Sequence, residues 1–234
     1  MAIPSYDTPR SVRYEAIRAF FRFISTKAYS LELSGEDNLP PEGPVVMAAY
    51  PHRKPGWEPG LLIGGVDELY SDRRRTTIIS KPATIPRVLF DVFEGPRLVA
   101  YRKKDEIPGM PGYVKDVEEP PFGPRLRSEL NKERLFPGAV NWLRKGGIVI
   151  GVPTGARSDG PLDELEIYAG LPLIAKEGNA SLVPVIVYSP SAIPTSFHPP
   201  LHIRIGKPIE VSDISEGRDY LRRSFSELSA DLFS

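Results

Sequence analysis

The chain has 234 residues, enough for one large domain or two small ones with a sizeable core, and a formal net charge of zero. Nothing global therefore draws it to nucleic acid or acidic partners. It has no cysteine, which excludes disulfides, thiolate nucleophiles and thiolate metal sites and suits the cytoplasm, and it has no apolar run of about 18 residues that would span a membrane. The N-terminus lacks an unbroken apolar segment ahead of a small-residue cleavage site, so no signal peptide is expected.

In chain order, residues 10–29 (RSVRYEAIRAFFRFISTKAY) read as a helix. At about 100° per residue, Val12, Ala16, Ile17, Ala19, Phe20, Phe21, Phe23 and Ile24 share one broad arc, with Glu15, Arg18, Arg22, Ser25 and Thr26 opposite. Such an arc fits a docked helix or one lying in a membrane interface. Arg10, Arg13, Arg18, Arg22 and Lys27 tilt it towards anionic headgroups. LELSG (31–35) is a strand ending in a turn, and PVVMAA (44–49) a buried strand. GLLIGGVDELYS (60–71) reads as helical despite its glycines, residues 76–80 as a strand, IPRVLFDVF (85–93) as a short helix and RLVAYR (97–102) as a strand. Residues 103–124, rich in Pro, Gly and charge, are expected to be a long insertion with little regular structure. RSELNKERLFPGAVNWLRKGG follows as a helix broken at Pro137 and stopped at Gly146 and Gly147. After it come the strand IVIGVP (148–153), the helix LPLIAKEGN with a glycine stop, the strands LVPVIVYS and LHIRIGKPIEV, and a terminal amphipathic helix.

This alternation implies an α/β fold with a mostly parallel central sheet flanked by helices. The expected organisation is an N-terminal amphipathic helix over 1–30 and one domain over 31–234. Ligands of such sheets sit at the carboxyl ends of the strands, where three polar clusters of this sequence fall. His52 follows an apolar strand and has an acid, Glu58, six residues on. That is one way to build a general base and also a common way to end a strand in a polar turn. Gly155, Arg157 and Ser158 follow IVIGVP in a Pro-x-Gly turn whose amides and guanidinium suit a phosphate or carboxylate, or simply make a tight turn with a surface Arg. Arg102 ends a third strand, and Lys81 follows 76–80. His198 and His202 lie in a Pro-rich loop and on a strand and read as structural.

VPTGARS (152–158) resembles the FPEGTRS motif of the glycerolipid acyltransferases, the lysophosphatidate (1-acylglycerol-3-phosphate) acyltransferase family. LELSGEDNLPPEGPVVMAAYPH (31–52) resembles that family's lead-in to its His motif, and HRKPGWEP (52–59) its HxxxxDP block. GPRLVAYR (95–102), LVPVIVY (182–188) and IRIGKPIEV (203–211) resemble its GxxFIxR block, its vPv strand and its late strand. The likeness covers about residues 30–232, and it is the order of these motifs that makes it specific.

The resemblance implies a glycerol-3-phosphate acyltransferase-like fold and acyl transfer from acyl-CoA or acyl carrier protein to a lysophospholipid hydroxyl. His52 would be the base and Glu58 its orienting acid. Arg102, Thr154, Gly155, Arg157 and Ser158 would bind the acceptor phosphate. No metal or other cofactor is needed, nucleic acid is no partner, and the N-terminal helix would attach the protein peripherally to the membrane surface. The sequence also departs from the family pattern. Trp57 stands where the family has Asp, so Glu58 takes that role only through a one-residue insertion. Pro51 replaces Asn, Thr154 replaces the motif Glu, and Gly95 is one residue too far from Arg102. The alternatives these departures raise are a non-phosphate acceptor and a catalytically silent lipid-binding relative.

Overall fold

The computed structural model describes residues 12–50, 58–66, 76–80, 97–99, 106–115, 124–154, 166–190 and 198–232. Its helices are α1 (Val12–Phe23), α2 (Glu58–Val66), α3 (Arg127–Leu130), α4 (Phe136–Arg144), α5 (Gly170–Gly178) and α6 (Ile214–Ser229). Its strands are β1 (Ser30–Ser34), β2 (Val45–Tyr50), β3 (Thr76–Ser80), β4 (Arg97–Val99), β5 (Glu106–Ile107), β6 (Met110–Lys115), β7 (Pro124–Leu126), β8 (Ile148–Gly151), β9 (Ser181–Tyr188), β10 (Pro200–Ile205) and β11 (Ile209–Glu210). Among the described residues the main sheet runs β1-β10-β9-β2-β8-β3-β4, with β11 also on β9. The five strands β9, β2, β8, β3 and β4 are mutually parallel, whereas β10 is antiparallel to β9 and β1 is parallel to β10. The sheet is therefore mostly parallel, as expected, with β1, β10 and β11 running the other way.

Strand β2 shows why its sequence carries no alternation. All six of its residues are buried, and a strand covered on both faces reads as one apolar run. Val45, Met47 and Ala49 join a core with Phe21 of α1 and Leu61, Leu62 and Ile63 of α2. Val46, Ala48 and Tyr50 point the other way, to Trp142 and Leu143 of α4, Ile174 of α5 and Leu221 and Phe225 of α6. Each large side chain so buried stabilises the fold by about 1.5–3 kcal/mol.

Four expectations change. Residues 103–124 are not a structureless insertion, because β5, β6 and β7 form a separate antiparallel sheet. Ile107 pairs with Met110 across Pro108 and Gly109, and Gly109 takes φ +80°, a conformation that suits glycine at the end of a Pro-Gly turn. Val114 of β6 is fully buried. Second, α5 is not stopped by its glycine. Asn179 takes the left-handed position at φ 47°, while Gly178 lies against Leu143, whose Cδ1 would be 2.5 Å from an added Cβ. Third, Ser25 is not on an exposed polar side of the N-terminal helix. It is fully buried, in a wide helical turn over Ile24–Ala28 that continues α1. Fourth, the chain between α3 and α4 does not break at Pro137. A second wide turn, Asn131–Leu135, precedes it and runs without a break into α4, whose first turn holds Pro137.

Candidate active site

The parallel register aligns the four strands that precede the predicted clusters in the sequence. Met47 of β2 is level with Ile150 of β8, Ile150 with Ile78 of β3, and Ile78 with Arg97 of β4. His52, Gly155 and Arg102 each follow that row by five residues in the sequence, and Lys81 follows it by three. The chain thus leaves towards His52, towards Gly155, Arg157 and Ser158, towards Lys81 and towards Arg102 from the carboxyl ends of four adjacent parallel strands. Strand carboxyl ends gather ligand sites in this architecture because neighbouring loops there diverge from a common rigid floor.

His52, Lys81, Arg102, Gly155, Arg157 and Ser158 themselves lie outside the described residues. Glu58 is the first residue of α2. Thr154 is the last described residue before the Arg157 segment, and it is buried, 4% exposed. Thr154 is thus part of the packed interior at the end of the β8 segment.

The described residues that precede these segments are held by packing and hydrogen bonds. Tyr50 closes β2 two residues before His52, and its ring stacks on Phe225 of α6, 5.3 Å between centroids at 28°. Sequence reading passed over Tyr50. The only local signal was an aromatic at a strand end, and its partner stands 175 positions away, beyond the reach of any periodicity. At the end of β8, Pro153 is buried and its carbonyl accepts the N–H of Tyr168 at 2.9 Å.

The two other histidines lie elsewhere. His202 sits on β10, separated from β2 by β9. Its Nδ1 is 3.0 Å from Glu32 Oε2 on the facing strand β1, and its ring stacks on Tyr188. His198 is exposed in the segment leading into β10. Among the described residues, no group of three or more His, Asp or Glu side chains could hold a metal ion, and no helix is long and apolar enough to cross a membrane.

The N-terminal helix is docked and also partly open. Phe21 is 2% exposed and lies at the crossing of α1 and α2. There, Gly64 approaches so closely that an added Cβ would meet the Phe21 carbonyl oxygen at 2.4 Å and Ser25 Oγ at 2.7 Å. Ala16, Ala19, Phe20 and Phe23, spaced i, i+3, i+4 and i+7, remain exposed, as do Arg22 and Lys27.

No protein-family model matches this chain, and no curated protein does. Among solved structures it is similar to the crystal structure of the 1-acyl-sn-glycerophosphate (LPA) acyltransferase PlsC from Thermotoga maritima, with a TM-score of 0.58 at 15% identity. The match covers 94% of this chain and 81% of that one. The chain has the PlsC fold. At 15% identity, that correspondence speaks for the arrangement of sheet and helices.

Proposed function

We propose that the protein transfers a fatty acyl group from a thioester, acyl-CoA or acyl carrier protein, to a hydroxyl of a lysophosphatidate-like glycerolipid. The observation that carries this reading is the shared five-residue offset of His52, Gly155 and Arg102 from one row of adjacent parallel strands. The fold shared with PlsC supports it. His52 removes the proton from the acceptor hydroxyl as the oxygen attacks the thioester carbonyl. The tetrahedral intermediate expels the thiolate, which takes that proton from the imidazolium, leaving an ester and a free thiol. Glu58 orients the imidazole and stabilises its charged form. Arg102, Arg157, Ser158 and the Gly155 amide hold the acceptor phosphate, with Thr154 at the root of their loop. The reaction consumes no metal or other cofactor.

The exposed stripe Ala16, Ala19, Phe20 and Phe23 beside Arg22 and Lys27 supports peripheral attachment to the cytoplasmic membrane surface, where the acceptor resides. A second reading, acyl transfer to an uncharged headgroup or polyol, is favoured by one observation. The position of the family's motif glutamate is a buried threonine, Thr154, and so offers the acceptor no carboxylate.

The test is thiol release from palmitoyl-CoA in the presence of lysophosphatidic acid, wild type against His52→Ala. Release that depends on the acceptor and falls by at least about 100-fold in the variant is expected for a general base. Full activity in the variant would end the assignment of His52. Release only with uncharged alcohols selects the second reading, and folded protein that binds lipid without consuming thioester is a silent relative.

A further inference from the structure

The hairpin of β5 and β6 ends in an exposed arch. Ile107 pairs with Met110 and Glu106 with Val114, so Pro111, Gly112 and Tyr113 bulge out of β6 with no counterpart on β5. Gly109 and Gly112 take φ +80° and +86°, which glycine alone adopts readily. Neither glycine is there to make room for a neighbour. An added Cβ at Gly109 would meet nothing within 4 Å, and one at Gly112 only Leu126 Cδ2, in ordinary contact at 3.8 Å. The glycines turn the chain outwards, and Pro108, Gly109, Met110, Pro111 and Tyr113 are exposed.

The arch is apolar where a solvated turn carries Asn, Asp or Ser. Residues 107–114, IPGMPGYV, hold no charge in a chain that is 26% charged. Met110 and Tyr113 are 38% and 37% exposed, and the other large hydrophobic side chains exposed among the described residues are Phe20 and Phe23 of α1 and Tyr168. The acid that starts β5 is paired, with Glu106 Oε1 3.4 Å from Arg127 Nε. Exposed Lys115 closes β6 two residues after Tyr113. Pro108 and Pro111 have no N–H, so two backbone donors that would otherwise have to leave water are missing.

We propose that this arch enters the headgroup region of a lipid bilayer, as a membrane contact separate from α1. Met110 reaches the acyl boundary, Tyr113 lies at headgroup level, and Lys115 meets anionic phosphates. A bilayer suits the arch better than a protein does. Five exposed residues fall well short of the roughly 20–30 that each side of a stable protein complex contributes, whereas interfacial binding grows with whatever apolar area is buried. The proposal deepens the peripheral attachment read from α1, and testing it needs no catalytic activity.

The chain has no cysteine, so Met110→Cys carrying an environment-sensitive fluorophore reports on the arch alone in the full-length protein. Ser226→Cys, exposed on α6, is the control. With vesicles of phosphatidylcholine and phosphatidylglycerol we expect a blue shift at position 110, quenching by acyl-brominated lipid, and no change at 226. In sedimentation with the same vesicles, Met110→Ser should bind about threefold more weakly and Met110→Asp at least about tenfold more weakly, with Met110→Leu close to wild type. A shared thermal midpoint checks that this exposed position leaves the fold intact. Sedimentation with an unchanged probe at 110 assigns the contact to α1 and overturns the proposal. A blue shift without lipid, as the protein or an acyl carrier protein is raised in concentration, overturns it in favour of a protein partner. No sedimentation at all overturns this contact and that of α1 together. Absence of thiol release with the blue shift intact removes the acyl-transfer reading and leaves the membrane contact standing.

Discussion

Helices α1 and α6 lie at opposite ends of the chain, and both read as amphipathic in the sequence, yet they spend their apolar residues differently. In α6 the stripe Gly217, Leu221, Ser224 and Phe225 is buried, and no large apolar side chain is left exposed. In α1 Phe21 is buried, while its neighbours Phe20 and Phe23 are 40% and 62% exposed. The apolar arc of α1 is wider than its footprint on α2, where Phe21 packs with Leu61, Leu62 and Ile63 and the backbones come close over Gly64. An amphipathic pattern therefore says that a helix has an apolar side, while only the neighbour's shape decides how much of it is used. A surplus at i, i+3, i+4 and i+7 forms a stripe, unlike the scattered exposed residues of any protein surface.

The largest expected effect that sharpens this contrast is at matched phenylalanines. Phe225→Ala removes a fully buried ring and the stack that holds Tyr50, and should cost about 3–5 kcal/mol in denaturant unfolding. Phe23→Ala should change stability by no more than about 0.5 kcal/mol and yet weaken sedimentation with anionic phospholipid vesicles. Equal losses of stability at the two sites would mean that the α1 stripe is not a surplus at all.

A smaller effect is expected at the two glycine contacts. Gly64→Ala sets a methyl group 2.4 Å from the Phe21 carbonyl oxygen, and backbone cannot rotate away, so α1 must shift at a cost of about 1–3 kcal/mol. Gly217→Ala meets Pro172 and Val211 side chains at 3.0 and 3.2 Å. These can give by a few tenths of an ångström, and the gain in helix propensity, about 1 kcal/mol, offsets part of the strain. Thermal unfolding of the pair should rank Gly64→Ala as the more damaging. The reverse order would place the tighter crossing at α6.

How much of this was legible in the sequence depends on the range of the signal. Strand β2 and helix α6 carry complete local patterns, an unbroken apolar run and a 3.6-residue stripe, and both elements are present. The alignment of the strands that precede His52, Gly155 and Arg102 was legible only as motif order, because the register that levels Met47, Ile150, Ile78 and Arg97 is set by strand pairing. The sheet of β5, β6 and β7 was missed because Pro108, Gly109, Pro111 and Gly112 mask its alternation, and the first two of these build its turn. The burial of Ser25 was missed because a helical projection at constant pitch fails across the wide turn Ile24–Ala28. The Tyr50–Phe225 stack and the hydrogen bond from Arg218 to the Ile167 carbonyl had no sequence signal, since each joins residues whose local contexts say nothing of one another.

The smallest expected effect is the pH dependence of the α6 anchors. Hydrogen bonds from the Glu216 and Ser215 amides hold the Asp213 carboxyl below the usual aspartate range, and the hydrogen bond from Arg204 does the same for Asp231, just past the helix end. A carboxyl whose pKa is depressed in the folded state adds stability that is fully present above its unfolded value, about 4 for Asp, and lost as pH falls through the folded value. The stability of α6 should therefore be flat through neutral pH and erode only in acid. Asp213→Asn keeps a good helix cap and removes the titrating group, so its thermal midpoint should track wild type at neutral pH and fall less steeply below about pH 4. Both carboxylates are exposed, so solvent screening keeps the difference small. Parallel curves for variant and wild type down to the acid limit would assign the acid sensitivity to groups outside α6 and leave its cap a purely geometric stop.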